Sequence, residues 1–247
     1  MPSLRKTQER ADHTRRNILR AAVREFSTHG LSGARTDAIA KSARVNKALL
    51  YYYFKDKQGL YASAVEEVSA EVVKSALAAL DPAYSAGERL LRSAVNHFDR
   101  ILTQREFQSL MQQEMVRYQR GEGGFLFFRT VFKPLIDKLQ QAVAEGIHTG
   151  ELCEVDSLQV MYSIFGANVF YFLSAPLVQL AIPFKLFTPH ALKLRRTAAV
   201  QFLSMALFSD RTRGARLAKR VLADMPMPKL KNVSSRMEEI RARRKAL

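Results

Sequence analysis

From Thr14 onward the apolar positions fall at helical spacing: Ile18, Ala22 and Phe26 recur every four residues, with Leu19 and Val23 beside them. That pattern lays one buried stripe along a first helix. Gly30 is placed to close it, because glycine readily takes the left-handed conformation that ends a helix, and Leu31 just beyond can fold back on the last turn. Three helices then follow in quick succession. Each opens with a side chain able to accept from unpaired backbone N–H groups, namely Thr36, Asn46 and Asp56. The third continues through Leu60, Ala64, Val65 and Val68 to about Leu80, where Asp81-Pro82 breaks it.

Beyond Pro82, periodic segments near 86–103, 105–119, 125–147, 156–180 and 189–208 predict five more helices. Glycines at 121–124 and 146–150 separate some of them. No run alternates strictly with β-branched residues, so the expected fold class is all-α. These breaks divide the chain into an N-terminal arm with three short helices over 1–57, a connecting helix over about 56–80 and a larger helical domain over 81–225. A basic tail over 226–247, entered through Pro226 and Pro228, is expected to be loosely held.

Charge sharpens this division. The net charge is +16, with 13 basic against 5 acidic residues over 1–57, 14 against 14 over 58–208, and 12 against 4 over 209–247. A neutral middle between two basic ends suggests that the ends meet a polyanion while the middle does something else. A single cysteine, Cys153, excludes an intramolecular disulfide or a multi-cysteine zinc site and fits a reducing compartment. The charged first residues exclude a secretory signal, so a cytoplasmic location is expected. The segment 157–184 carries no charge and is long enough to cross a bilayer. It is interrupted by Pro176 and Pro183 and holds Gln159, Asn168 and Gln179, so it reads better as a helix buried between two copies, with no membrane partner.

Residues 36–57, TDAIAKSARVNKALLYYYFKDK, have the parts of a helix-turn-helix: a short helix, a tight turn and a second helix able to enter a major groove. Ala40 is small enough for close approach, and Ile39, Val45 and Leu50 are spaced to form the wedge between the helices. Asn46 and Lys47 then start the second helix as polar, outward-facing residues.

This stretch resembles the DNA-binding segment of the tetracycline-repressor family over about residues 14–65. Thr36, Ile39-Ala40, Val45, Leu50-Tyr51-Tyr52, Phe54 and Lys57 agree with the family pattern in order and spacing. The resemblance implies a transcriptional regulator that binds double-stranded DNA at a palindromic operator, most commonly as a repressor. It also implies phosphate contacts from Thr36, Lys57 and one or more of Tyr51, Tyr52 and Tyr53, with base contacts from Asn46, Lys47 and Ala48 and a possible reach by Arg35. Two positions depart from the pattern. Arg44 stands where the family's turn carries glycine, at an expected strain of roughly 1–2 kcal/mol unless packing or a phosphate contact offsets it. Tyr53 stands where histidine is common.

The resemblance further implies that the middle of the chain dimerises through its last two long helices and encloses a small-molecule pocket. The helices near 157–180 and 189–208 are too apolar for a solvated surface. Ile164, Phe165, Val169, Phe172, Ala198, Phe202 and Met205 are therefore expected at a homodimer interface. The candidate apolar pocket walls are Phe98, Phe107, Met111, Met115, Tyr118, Phe125, Phe127, Phe128, Phe132, Tyr162 and Phe170. Gln108, Gln112, Arg117 and Asn168 are the candidate polar fixtures, which suits a hydrophobic effector. No cofactor is expected. Catalysis has little support: the five histidines show no metal-ligand spacing, and Gly121-Glu122-Gly123-Gly124 lacks the lysine of a phosphate loop. The rival reading is non-specific binding to nucleic acid or an anionic surface through Arg5, Lys6 and Arg10 at one end and Arg236, Arg241, Arg243, Arg244 and Lys245 at the other.

Overall fold

The computed structural model describes residues 2–123, 128, 132–183 and 185–229, with side chains from residue 8 onward. The basic tail beyond 229, together with Phe125 and Phe127 and the side chains of Arg5 and Lys6, lies outside the described residues. The helices are α1 (Pro2–Gly33), α2 (Thr36–Ala43), α3 (Lys47–Phe54), α4 (Lys57–Ala79), α5 (Ala86–Thr103), α6 (Arg105–Gln119), α7 (Lys133–His148), α8 (Ser157–Ala181), α9 (Pro189–Leu207) and α10 (Arg211–Asp224). Among the described residues the β structure amounts to one isolated antiparallel bridge, between Leu152 and Phe208.

The described residues form two compact units, one within 1–74 and 104–133, the other within 75–103 and 134–247. In the first unit the stripe read from the sequence is the core: Ile18, Leu19, Ala22 and Phe26 of α1 pack with Ile39, Leu50, Phe54, Leu60 and Ala64. Helix α1 starts at Pro2 rather than Thr14, since the residues ahead of Thr14 are mostly good helix formers and proline fits a first helical position. Gly30 kinks the helix rather than ending it: its φ of 70° is positive but its ψ of 175° is extended, α1 resumes to Gly33, and Leu31 packs back on the core.

Helix α6 also belongs to this unit, although the sequence division places it in the second domain. The reason is a fitted contact with α1: Leu110 and Met111 are buried in the first core, and Ser109 Oγ donates to Ser27 O at 2.6 Å. Glu114, nearly sealed from solvent, accepts from Tyr61 Oη at 2.8 Å and pairs with Arg117 at 2.6 Å.

In the second unit Leu90, Leu91, Ala94 and Val95 of α5 pack with Ile164 of α8, Val200, Leu203 and Leu207 of α9, and Leu217, Ala218 and Val221 of α10. Glu151 anchors the start of α5, accepting from Ser85 Oγ at 2.7 Å and from the Gly87 N–H at 3.0 Å. Gly87 has to be glycine, because a Cβ there would lie 2.3 Å from Cζ of Phe208. Helix α10, absent from the sequence expectation, is capped by Asp210, whose carboxylate accepts from the N–H groups of Thr212 and Arg213. It is further held by the Arg92–Asp224 and Arg220–Glu88 ion pairs.

Helix α8 is long and apolar enough to cross a membrane by length and composition. It buries Val160, Ile164, Asn168, Phe172 and Ala175 along one face and leaves Tyr162, Phe170, Leu173, Leu177 and Leu180 exposed on the rest.

Candidate nucleic-acid interface

Helices α2 and α3 are joined by three residues. The turn closes α2 with the paired bonds of a Schellman motif, Val45 N–H to Ala40 O at 3.0 Å and Arg44 N–H to Lys41 O at 3.2 Å. Arg44 takes the left-handed conformation that this motif requires, φ 58° and ψ 42°, so the geometry usual for glycine is kept with a Cβ in place. Val45, the next residue, packs into the core with Ala40 and seals the turn.

Helix α3 has two faces. Leu50 and Phe54 are buried, whereas Asn46, Lys47, Ala48 and Tyr52 are exposed, Tyr52 at 82%. Asn46 caps the helix, its Oδ1 accepting from the Leu49 N–H at 2.7 Å. That bond takes one of the amide oxygen's two lone pairs and leaves Nδ2 as the donor able to meet a base. Asp56 caps α4 in the same way through the Gly59 N–H at 2.7 Å.

Thr36 differs from its expected role as a cap. Arg35 occupies the cap position of α2 with no side-chain cap bond, and its own N–H is held by Glu25 Oε1 at 3.0 Å. The Thr36 side chain is buried, with Oγ1 3.3 Å from the Tyr51 hydroxyl. A phosphate contact at this helix start would therefore fall to backbone N–H groups and the helix dipole rather than to the threonine hydroxyl. Tyr51 and Tyr53 are both half-buried against the core. Lys57 donates to Ser32 O at 3.1 Å, and Arg35 and Arg44 are exposed.

Another acidic residue among these groups pairs with a cation of the exposed edge. Asp37, in the first turn of α2, lies 2.9 Å from Lys47 Nζ. The hydrogen bond and the opposite charge hold the Asp37 carboxyl below its ordinary range, aided by Arg35, and hold the Lys47 ammonium above its own. Sequence reasoning passed over Asp37, because a ten-residue separation across a turn has no helical periodicity to reveal it.

The candidate effector residues divide between the two units. Phe107, Gln108, Met111, Gln112, Met115, Arg117, Tyr118, Phe128 and Phe132 belong to the first unit; Phe98, Tyr162 and Asn168 belong to the second. Met111 is core, Gln112, Met115 and Tyr118 are exposed, Arg117 is tied to Glu114, and Phe128 stacks on Phe132 at 4.8 Å. Phe98 fills an aromatic core with Phe172 and Phe187, Tyr162 is exposed, and Asn168 donates to Ala94 O at 3.2 Å. Asn168 lines a cavity of about 80 Å³ with Ser163, Arg195 and Phe202, too small for an ordinary ligand pocket of roughly 300 Å³ or more.

The interface candidates also divide. Ile164 and Phe172 face their own core, because they sit on the buried stripe of α8. Phe165 and Val169 are partly buried. Ala198, Phe202 and Met205 are exposed on α9, with Leu194 on the same helix.

Comparisons with known proteins agree with this geometry. Residues 18–64 match the family described as bacterial regulatory proteins, tetR family, and residues 87–203 match a tetracyclin repressor-like C-terminal domain. Over 62 residues, 25% of this chain and 29% of the relative, the sequence is 44% identical to the HTH-type transcriptional repressor NicS of Pseudomonas putida. Over 54 residues, 22% of this chain and 28% of the relative, it is 50% identical to the HTH-type transcriptional repressor SCO4008 of Streptomyces coelicolor. The matched stretch thus spans less than a third of the length of these curated relatives. The fold is similar to that of a gamma-butyrolactone receptor (ArpA-like protein), with a TM-score of 0.64 at 17% identity over 87% of this chain and 99% of that one.

Proposed function

The chain belongs to the tetracycline-repressor family, and from that premise we propose that it is a sequence-specific transcriptional repressor. It holds an inverted-repeat operator as a homodimer and releases it when a small hydrophobic effector binds. The observation that carries this reading is the two-faced helix α3. Leu50 and Phe54 bury one side, while Asn46, Lys47, Ala48 and Tyr52 present a polar edge of the size a major groove admits.

On this reading the backbone N–H groups at the start of α2, Tyr52 and Lys57 hold phosphates and fix the register. Lys47, Ala48 and the Asn46 amide nitrogen face base edges, with Arg35 beside them. The exposed apolar residues Leu173, Leu177, Phe202 and Met205 of α8 and α9 support pairing with a second copy, since a surface of that kind marks an interaction site. Two recognition helices about 34–36 Å apart then meet successive major grooves. An effector that prefers the spread arrangement weakens DNA binding by the same coupling free energy that DNA exerts on effector binding.

Selection of bound duplexes from a random pool at physiological salt tests the proposal. A two-fold-symmetric consensus is expected; salt-dependent binding without sequence preference would favour the rival reading of a non-specific polyanion binder.

A further inference from the structure

A carboxylate on a DNA-facing edge needs an explanation, because it repels the phosphates that its neighbours would bind. Asp37 is exposed to solvent, stands one residue into α2, and has Lys47 Nζ at 2.9 Å. Lys47 is the first residue of α3, where the positive end of the helix dipole already disfavours an ammonium. The pair therefore joins the starts of the two helices that form the proposed reading head.

We infer that Asp37 is a specificity-determining residue: it positions the Lys47 ammonium for a guanine edge and withholds it from the phosphate backbone. This rests on the DNA-binding reading above and adds to it which base class the site selects and what suppresses indiscriminate binding. An ammonium has three N–H donors. With one held by Asp37, the others remain for the O6 and N7 acceptors that guanine alone presents together in the major groove. A Lys47 that swung away to a phosphate would leave the Asp37 carboxylate unpaired beside a polyanion, so every site lacking the right base is penalised.

The test compares wild type, Asp37→Asn, Asp37→Glu, Lys47→Ala and the Asp37→Asn/Lys47→Ala double variant. Each is put through duplex selection and through titration with its selected and scrambled DNA over a range of salt. Wild type is expected to select a symmetric site with a G·C pair at one fixed position in each half. Asp37→Asn should lose roughly tenfold in discrimination at that position alone. It should also bind scrambled DNA more tightly, with a salt dependence steeper by about one counterion per freed lysine. Asp37→Glu should restore part of the preference, and once Lys47 is alanine the Asp37→Asn change should leave base preference unaltered, whatever it does to overall affinity by removing a negative charge. A wild-type consensus that Asp37→Asn leaves intact, with an unchanged salt slope, would overturn this inference while sparing the regulator reading. Failure of wild type to select any symmetric site would overturn both.

Discussion

The hydroxyl of Tyr61 on α4 donates to Glu114 Oε1 on α6 at 2.8 Å, and the same oxygen takes a charge-assisted bond from Arg117 at 2.6 Å. Glu114 is only 4% exposed, so these two donors stand in for the water it has lost. Burial and the adjacent carboxylate push the Tyr61 hydroxyl well above its ordinary range, which keeps it protonated as the donor. Tyr61→Phe should lower stability by about 1.5–3 kcal/mol, the worth of a hydrogen bond to a charged group. Arg117→Ala should lower it by about 3 kcal/mol, because it leaves a buried carboxylate with half its compensation. Urea unfolding of the two variants against wild type measures both.

Arg44 carries a Cβ in a left-handed turn, at φ 58° and ψ 42°. Replacing it with glycine should raise stability by up to about 1 kcal/mol, as the steric term at this position exceeds glycine's entropic disadvantage in the unfolded chain. Thermal unfolding reads the change. DNA affinity should move the other way, since an exposed cation beside the reading edge is lost.

The imidazole of His97 packs edge-on against Phe165 with ring centroids 4.6 Å apart, and its Nδ1 lies 3.4 Å from Asn168 Nδ2. Burial pushes its pKa down from 6.5 to about 4. The unfolded chain therefore takes up this proton first as pH falls. The stabilising contribution of the neutral ring is complete above pH 6.5, declines through the window below it and is gone below about pH 4. His97→Gln should flatten the fall in urea midpoint between pH 7 and about pH 5 relative to wild type. Equal slopes in the two proteins would contradict the assignment.

Phe202 is 69% exposed on α9 and adds little to its own chain's core. Phe202→Glu should therefore leave the helical signal unchanged while moving the protein from dimer to monomer in sedimentation velocity. A charge in the apolar centre of a pairing surface is costly, as charged residues are depleted there.

Much of the first unit was legible because its signals are local. The Ile18, Ala22 and Phe26 stripe, the interruption at Gly30 and the caps at Asn46 and Asp56 each depend on residues within a turn or two of one another. Thr36 shows where such reasoning stops: a hydroxyl suited to capping is buried beside Tyr51, fifteen residues away. Helix α6 shows it again, since an amphipathic pattern tells that a face is buried but not which partner covers it. Helix α10 was hidden by its charges and by Gly214. Its buried stripe consists of Gly214, Leu217, Ala218 and Val221, and the glycine is there because a Cβ would come within 2.8 Å of Phe208 Cγ. Phe98 and Met111 lie in cores, and their spacing alone could not tell this from a pocket wall, because aromatic and long apolar residues at helical spacing fill cores as readily as they wall pockets.

On the proposed reading the edge of α3 reads DNA as one half of a symmetric pair. Equilibrium titration of the selected duplex, a single half-site and a scrambled duplex of equal length, at one physiological salt concentration, tests it most directly. Two protein chains should bind each full site, with affinity at least about 10³-fold tighter than for scrambled DNA, and Lys47→Ala should lose most of that ratio. Equal affinity for all three duplexes, unchanged by Lys47→Ala, would contradict it.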